Sequence, residues 1–161
     1  MRLDNETLAK LWDEITPKLF GYLVNVTRNP ALAEDLLQNT WTKAIEALSK
    51  YQNRGIKFSS WLFAIARNEC RQHWRKSNRE ISFDPALHDT ESKDNNPEDK
   101  MLVNQLLAKL SEDDRELIRL RFIADLPVDQ IAQILRLNPI AARVRLHRAL
   151  IHLKSYATIN Q

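Results

Sequence analysis

The sequence predicts an all-α protein of two small helical modules joined by a flexible acidic linker. Three observations carry this. Glycine is scarce, with two in 161 residues. Apolar residues recur at spacings of three and four along most of the chain, the mark of helices that bury one face. One stretch near the middle loses that period and turns acidic. Few glycines beside many Leu, Ala, Glu, Lys and Arg favour helix over sheet.

The prolines punctuate the helices. Three of the six follow asparagine: Asn29-Pro30, Asn96-Pro97 and Asn138-Pro139. Asn is a strong helix cap, and Pro is preorganised for the first helical position. Each pair is read as a helix start. The first helix is expected over about 6–27, with Leu8, Leu11, Trp12, Ile15, Leu19, Tyr22, Leu23 and Val26 on its apolar face. Thr16-Pro17 is expected to kink or break it. The second runs from Pro30 to Ser49 and buries Leu32, Leu36, Leu37, Trp41, Ala44, Ile45 and Leu48. A loop from Tyr51 to Lys57 contains Gly55, and a third helix covers about 59–76.

Residues 82–100 hold six acids against two lysines, a net charge of −4. With two prolines and few apolar residues, this stretch has little to bury and much to solvate. The domains are therefore drawn as 1–81, a linker over 82–96, and 97–161. In the second module one helix spans Pro97 to Leu110. Ser111 caps the next, with Asp114 at the capping-box position, and it runs to about Phe122. Two segments follow, Val128 to Leu135 and Pro139 to about Ser155.

Several classes of function are excluded by what the chain lacks. One cysteine, Cys70, permits no internal disulfide. No apolar run approaches the 18 or so residues that span a bilayer, and the first ten residues carry no secretion core. The expectation is a soluble cytoplasmic protein without membrane insertion. Cys70 and His73 are half a metal site without a second pair, so no metal is expected. No glycine-rich phosphate loop, nucleophile triad or paired-carboxylate pocket is present. Neither a cofactor nor enzymatic activity is expected.

What remains is binding chemistry. The last two segments form a helix-turn-helix pattern: a short helix, a three- to four-residue turn and a capped second helix. On that second helix Ala142, Leu146, Ala149, Leu150 and Leu153 make the buried stripe. Ile140, Ala141, Val144, His147 and Arg148 face the other way, flanked by Arg143 and Arg145. From Arg136 to Gln161 there are five Lys or Arg and no acid. Small side chains near the helix start permit close approach to a DNA groove, and arginines further along suit guanine edges or phosphates. A solvated basic face is the plainer account, and the preceding short helix argues against it. The third helix has a mixed face as well. Phe58, Trp61, Leu62 and Ile65 are its core stripe, while Phe63, Arg67, Cys70, Arg71, Trp74 and Arg75 project the other way. Rings among cations suit a single strand, stacking on unpaired bases while cations hold the backbone. Packing of Phe63 and Trp74 on the first helices is the alternative. The second helix carries a polar stripe, Asp35, Gln38, Asn39 and Thr42, at i, i+3, i+4 and i+7, which spacing alone reads as a solvated face.

These segments resemble a known family. Ala33-Glu34-Asp35-Leu36-Leu37-Gln38 is similar to the start of sigma region 2. Phe58-Ser59-Ser60-Trp61-Leu62-Phe63-Ala64-Ile65-Ala66-Arg67-Asn68 is similar to the second half of that region in extracytoplasmic-function (ECF) sigma factors. Leu117-Ile118-Arg119-Leu120-Arg121-Phe122, Ile131-Ala132-Gln133-Ile134-Leu135 and Arg145-Leu146-His147-Arg148-Ala149 resemble region 4. The resemblance implies a sigma factor that binds core RNA polymerase and initiates transcription at promoters. It places Asp35, Gln38, Asn39 and Thr42 on the clamp of the large polymerase subunit. It implies that Tyr51, Asn53, Arg54, Lys57 and Phe58, with Asn68, read the melted −10 element, beside the aromatic and basic residues Phe63, Arg67, Arg71, Trp74 and Arg75. It implies that Asn138, Pro139, Ile140, Ala141, Arg143, Val144, Arg145, His147 and Arg148 meet the duplex −35 element. The linker would thread toward the active-site and RNA-exit channel. An anti-sigma factor is a further candidate partner.

The chain also departs from the family. Asn39 stands where an acid is common. Arg136 replaces the usual turn glycine, and a left-handed conformation there costs about 1 kcal/mol. Pro139-Ile140-Ala141-Ala142 replaces the usual Ser/Thr-Val pattern, so the −35 sequence is not inherited from relatives. Two rival readings stay open on the sequence. A helix-turn-helix regulator acting alone would leave the third helix and the linker unexplained, and a protein-binding adaptor would make the basic helix incidental. Co-purification with core polymerase separates the sigma factor from both.

Overall fold

The computed structural model describes residues 3–51, 55–80 and 97–159. The chain divides into two compact units, Met1–Glu91 and Ser92–Gln161. No strand occurs among the described residues. The expected acidic linker, 82–96, lies outside them, as do Asn53 and Arg54.

Among the described residues the first unit is built on three α-helices: α1 (Asn5–Thr27), α2 (Pro30–Glu46) and α3 (Phe58–Glu80). Asp4 starts α1, its carboxylate accepting the Thr7 N–H at 2.7 Å. That hydrogen bond holds the Asp4 carboxyl below its ordinary value. Pro17 lies inside α1, yet the helix is continuous to Thr27. The expected break at Thr16-Pro17 does not occur. Pro17 is exposed, and the buried residues on either side, Ile15, Leu19, Tyr22 and Leu23, hold the two halves on one apolar face. The helix stops at Arg28, left-handed at φ 53°, whose N–H returns to the Val24 carbonyl. Asn29 then caps α2, its side chain accepting from Ala31 and Leu32, with Pro30 in the first turn.

The α2 helix ends at Glu46, short of Ser49, and a 3-10 turn covers Leu48–Lys50. Leu36, Trp41 and Ala44 face the core, whereas Ile45, expected inside, is 53% exposed. α3 is longer than its apolar period, reaching Glu80. It packs on both α1 and α2, so its buried arc is wide. Phe58, Leu62, Phe63, Ala66 and Cys70 are all buried. Glu69 is buried as well, and its carboxylate pairs with the Lys43 ammonium across α2 and α3.

The second unit holds α4 (Pro97–Ala108), α5 (Glu112–Ile118), α6 (Val128–Leu135) and α7 (Pro139–Ile159). Ser111 caps α5, its hydroxyl accepting the Asp114 N–H at 3.2 Å. The helix continues as one wide π-turn, Arg119–Ile123, a feature without a sequence signal. Arg119 is buried there between Glu112 at 3.3 Å and Glu116 at 3.6 Å. α7 packs against α4, α5 and α6, and the shared core includes Leu117, Leu120, Ile131, Ala132, Ala142, Leu146 and Ala149.

Candidate nucleic-acid interface

The α6–turn–α7 pair has the boundaries the sequence predicts for the short helix and the start of the long one. Arg136 ends α6 in the left-handed region, φ 55° and ψ 45°, as the turn requires. The Leu137 N–H returns to the Ala132 carbonyl at 2.9 Å. Asn138 caps α7, its side-chain oxygen accepting the Ile140 N–H at 2.8 Å. The first turn of α7 is thereby fixed against α6. Ala142, Leu146 and Ala149 anchor its inner face. Pro139, Ile140, Ala141, Val144, His147 and Arg148 are all exposed on its outer side.

Two of the three expected arginine contacts are tied within the unit. Arg143 pairs with Asp129 of α6 at 2.9 Å. Arg145 lies 3.6 Å from Asp113 and 3.9 Å from Asp114 at the start of α5. Arg148 makes no ion pair among the described residues. Sequence periodicity could not find these pairs, because Asp129 and Arg143 are brought together by the turn and not by a helical repeat.

In the first unit the loop and α3 sort differently from the expectation. Phe63 is 1% exposed and meets Tyr22 edge-on at 5.6 Å between centroids. It is a core residue and cannot stack on a base. Phe58 is 7% exposed, enclosed by Trp41, Tyr51 and Trp61. It too is a core side chain. Phe58 already stands on the core stripe read from the sequence, and its burial removes it from the −10 set. Phe63 is buried because two helices lie on α3, while the sequence reading allows a single stripe. Tyr51 closes the loop, its hydroxyl donating to the Ile56 carbonyl at 2.8 Å, and burial raises its phenol pKa. Gly55 turns the loop at φ 77°, where a side chain would be strained.

Lys57, Asn68, Arg71 and Arg75 are exposed. By the 100° step of an α-helix, Asn68, Arg71 and Arg75 share one side of α3. Arg67 is half-buried at its edge. Trp74 is also half-buried and lines a groove of about 170 Å³ with Val26, Thr27, Leu32 and His73. On α2, Asp35, Gln38, Asn39 and Thr42 are all exposed. The Thr42 hydroxyl donates to the Gln38 carbonyl at 2.9 Å. Among the described residues no group of three or more His, Cys, Asp or Glu could hold a metal ion, and Cys70 is buried. No helix among them is long and apolar enough to cross a membrane.

Comparison with known proteins matches both units. Residues 11–80 match the Sigma-70 region 2 family, and residues 100–153 match the Sigma-70 region 4 family. The RNA polymerase sigma factor CarQ of Myxococcus xanthus is 32% identical over 150 residues, 89% of this chain and 84% of its own. The ECF RNA polymerase sigma factor ShbA of Streptomyces griseus is 33% identical over 135 residues, 77% of this chain and 71% of its own. Among solved structures, CnrH in complex with the cytosolic domain of CnrY shares the fold with a TM-score of 0.75. It is 22% identical, over 98% of this chain and 92% of its own. The sigma factor RpoE of Bartonella quintana, in complex with the anti-sigma factor NepR, gives 0.72 at 23% identity, over 97% and 99%. The two helical units, their order and these relatives converge: the chain belongs to the ECF family of RNA polymerase sigma factors, which recognise promoters and initiate transcription with RNA polymerase.

Proposed function

We propose that the two units divide promoter recognition between them, each through the exposed side chains just described. The outer side of α7 reads the −35 duplex. The observation that carries this is the cap at Asn138, which fixes a basic, acid-free helix with its first turns exposed beside α6. A docked recognition helix presents its N-terminal residues to base edges. Arg148 makes no ion pair among the described residues, so it is the arginine of α7 most readily available to DNA.

The exposed cations and amide of the first unit, Lys57, Asn68, Arg71 and Arg75, serve the melted −10 strand, with Arg67 at their edge. Tyr51, Phe58 and Trp61 pack together beside these residues. Asn53 and Arg54 belong to the 51–57 loop by sequence. The stripe Asp35, Gln38, Asn39 and Thr42 docks on core polymerase. The protein has no catalytic activity of its own and works in the cytoplasm as a subunit of the holoenzyme. An anti-sigma factor is a proposed partner, as for the RpoE relative.

Run-off transcription with core polymerase on a randomised promoter library tests this reading. The expected result is a selected set with paired upstream and downstream elements. A chain that fails to co-purify with core polymerase would refute it.

A further inference from the structure

The centre of the outer face of α7 is apolar. Ile140, Val144 and Ile151 fall within about 40° of one another at the helical step, with His147 beside them. They are 69%, 42% and 50% exposed. An ordinary solvated helix places charge there and keeps branched aliphatic side chains inside. The cations stand on the flanks. Arg143 on one side is held by Asp129, and Arg148 on the other makes no ion pair among the described residues. No acid occurs from Arg136 onward.

This order of side chains fits one occupant. Flanking cations suit the phosphate walls of a groove. The middle of the face then meets base edges, and there it offers no hydrogen bond from Ile140 or Val144. In the major groove only thymine presents a methyl group. An aliphatic side chain pressed on a cytosine amino group or a guanine oxygen would leave that polar edge unpaired.

We propose that this chain selects its −35 element through thymine methyl groups packed against Ile140 and Val144. The inference rests on the reading of α7 as the −35 helix and adds the base chemistry to it. The two side chains lie about 6 Å apart along the helix axis, at 1.5 Å per residue. That separation places the two thymines on adjacent or next-neighbour base pairs. Burial of one methyl group corresponds to about a fourfold change in affinity.

The experiment uses reconstituted holoenzyme on a promoter selected from a library randomised across the −35 region. Each −35 thymine is then replaced by deoxyuridine, which removes the methyl group and keeps every hydrogen-bonding atom. The expected result is two thymine positions, each losing about three- to fivefold in affinity on replacement. Ile140→Ala should erase the sensitivity at one position and Val144→Ala at the other. Both side chains are exposed, so the variants should fold. Selected sites without thymine, or deoxyuridine tolerated everywhere while Ile140→Ala or Arg148→Ala still weakens −35 binding, would overturn the methyl readout and leave the helix assignment standing. If none of the α7 variants changes −35 binding, the helix assignment itself fails. If Ile140→Ala weakens binding to core polymerase without DNA, the face is a protein contact and the proposal is overturned.

Discussion

Replacing Phe63 by alanine separates two accounts of α3 by their opposite outcomes. If the ring faces DNA, its loss leaves the fold intact and slows promoter opening. The ring is 1% exposed and edge-packed on Tyr22, so removal leaves a cavity where α1 meets α3. Phe→Ala at such a site costs about 3–5 kcal/mol, of which the ring–ring contact supplies roughly 0.5–1.5 kcal/mol. A unit of this size has a total stability of only about 4–12 kcal/mol. At about 4–8 °C per kcal/mol, the unit should melt about 15 °C lower or more. The measurement is clean because all four tryptophans, Trp12, Trp41, Trp61 and Trp74, lie in the first unit. Tryptophan fluorescence therefore reports that unit alone within the full chain. Arg71→Ala on the exposed side is the control and should stay within about 0.5 kcal/mol of wild type. A Phe63→Ala protein melting within about 2 °C of wild type, equivalent to less than one kcal/mol, would refute the core placement.

Three further outcomes are expected. Asp35→Ala with Gln38→Ala should weaken co-purification with core polymerase while the tryptophan melt stays unchanged, since both side chains are exposed; equal binding would remove the stripe from the docking surface. Arg136→Gly should raise the stability of the second unit by about 0.5–1 kcal/mol, because Arg136 sits at φ 55°; helical circular dichroism on heating would show a loss if the turn had another conformation. Asp129→Asn should release Arg143 and increase holoenzyme affinity for all −35 sequences alike, with a salt slope steeper by about 1; an unchanged slope would mean Arg143 never reaches phosphate.

Much of this architecture is legible from local chemistry. The Asn-Pro starts at Pro30, Pro97 and Pro139 coincide with the first residues of α2, α4 and α7, because cap and ring act within one turn. The outward set on α7 is equally readable, since α6 and its neighbours cover only one side of that helix. Helix ends are less so. α3 passes Lys76 and α7 passes Ser155, and neither site carries the Gly or Pro that would mark a stop. Phe63 escapes the sequence reading for a tertiary reason, the second helix lying on α3. Ile45 escapes it for the reverse one, since nothing among the described residues of the first unit covers that side of α2. Pro17 does not end α1, which runs on to Thr27 where apolar burial continues on both sides of it.

The ion pairs of the second unit change how its charge should be counted. Five cations and no acid from Arg136 to Gln161 suggest a strongly basic helix. Asp129, Asp113 and Asp114 reach that helix from α6 and α5, and they hold Arg143 and Arg145. A paired arginine that moves to a phosphate abandons a carboxylate, which then gathers its own counterion. The net release is near zero, whereas an unpaired arginine contributes about 0.9 to the salt slope. Arg148→Ala should therefore flatten the salt dependence more than Arg143→Ala does, although both remove one charge. The pairs also restrain Arg143, on one flank of the outer face, and Arg145, nearer the core side. Sequence-independent affinity is thus kept low on the helix whose centre reads bases. Specificity in this unit comes from the apolar residues between the arginines, and a count of its positive charge alone would assign it to the wrong side chains.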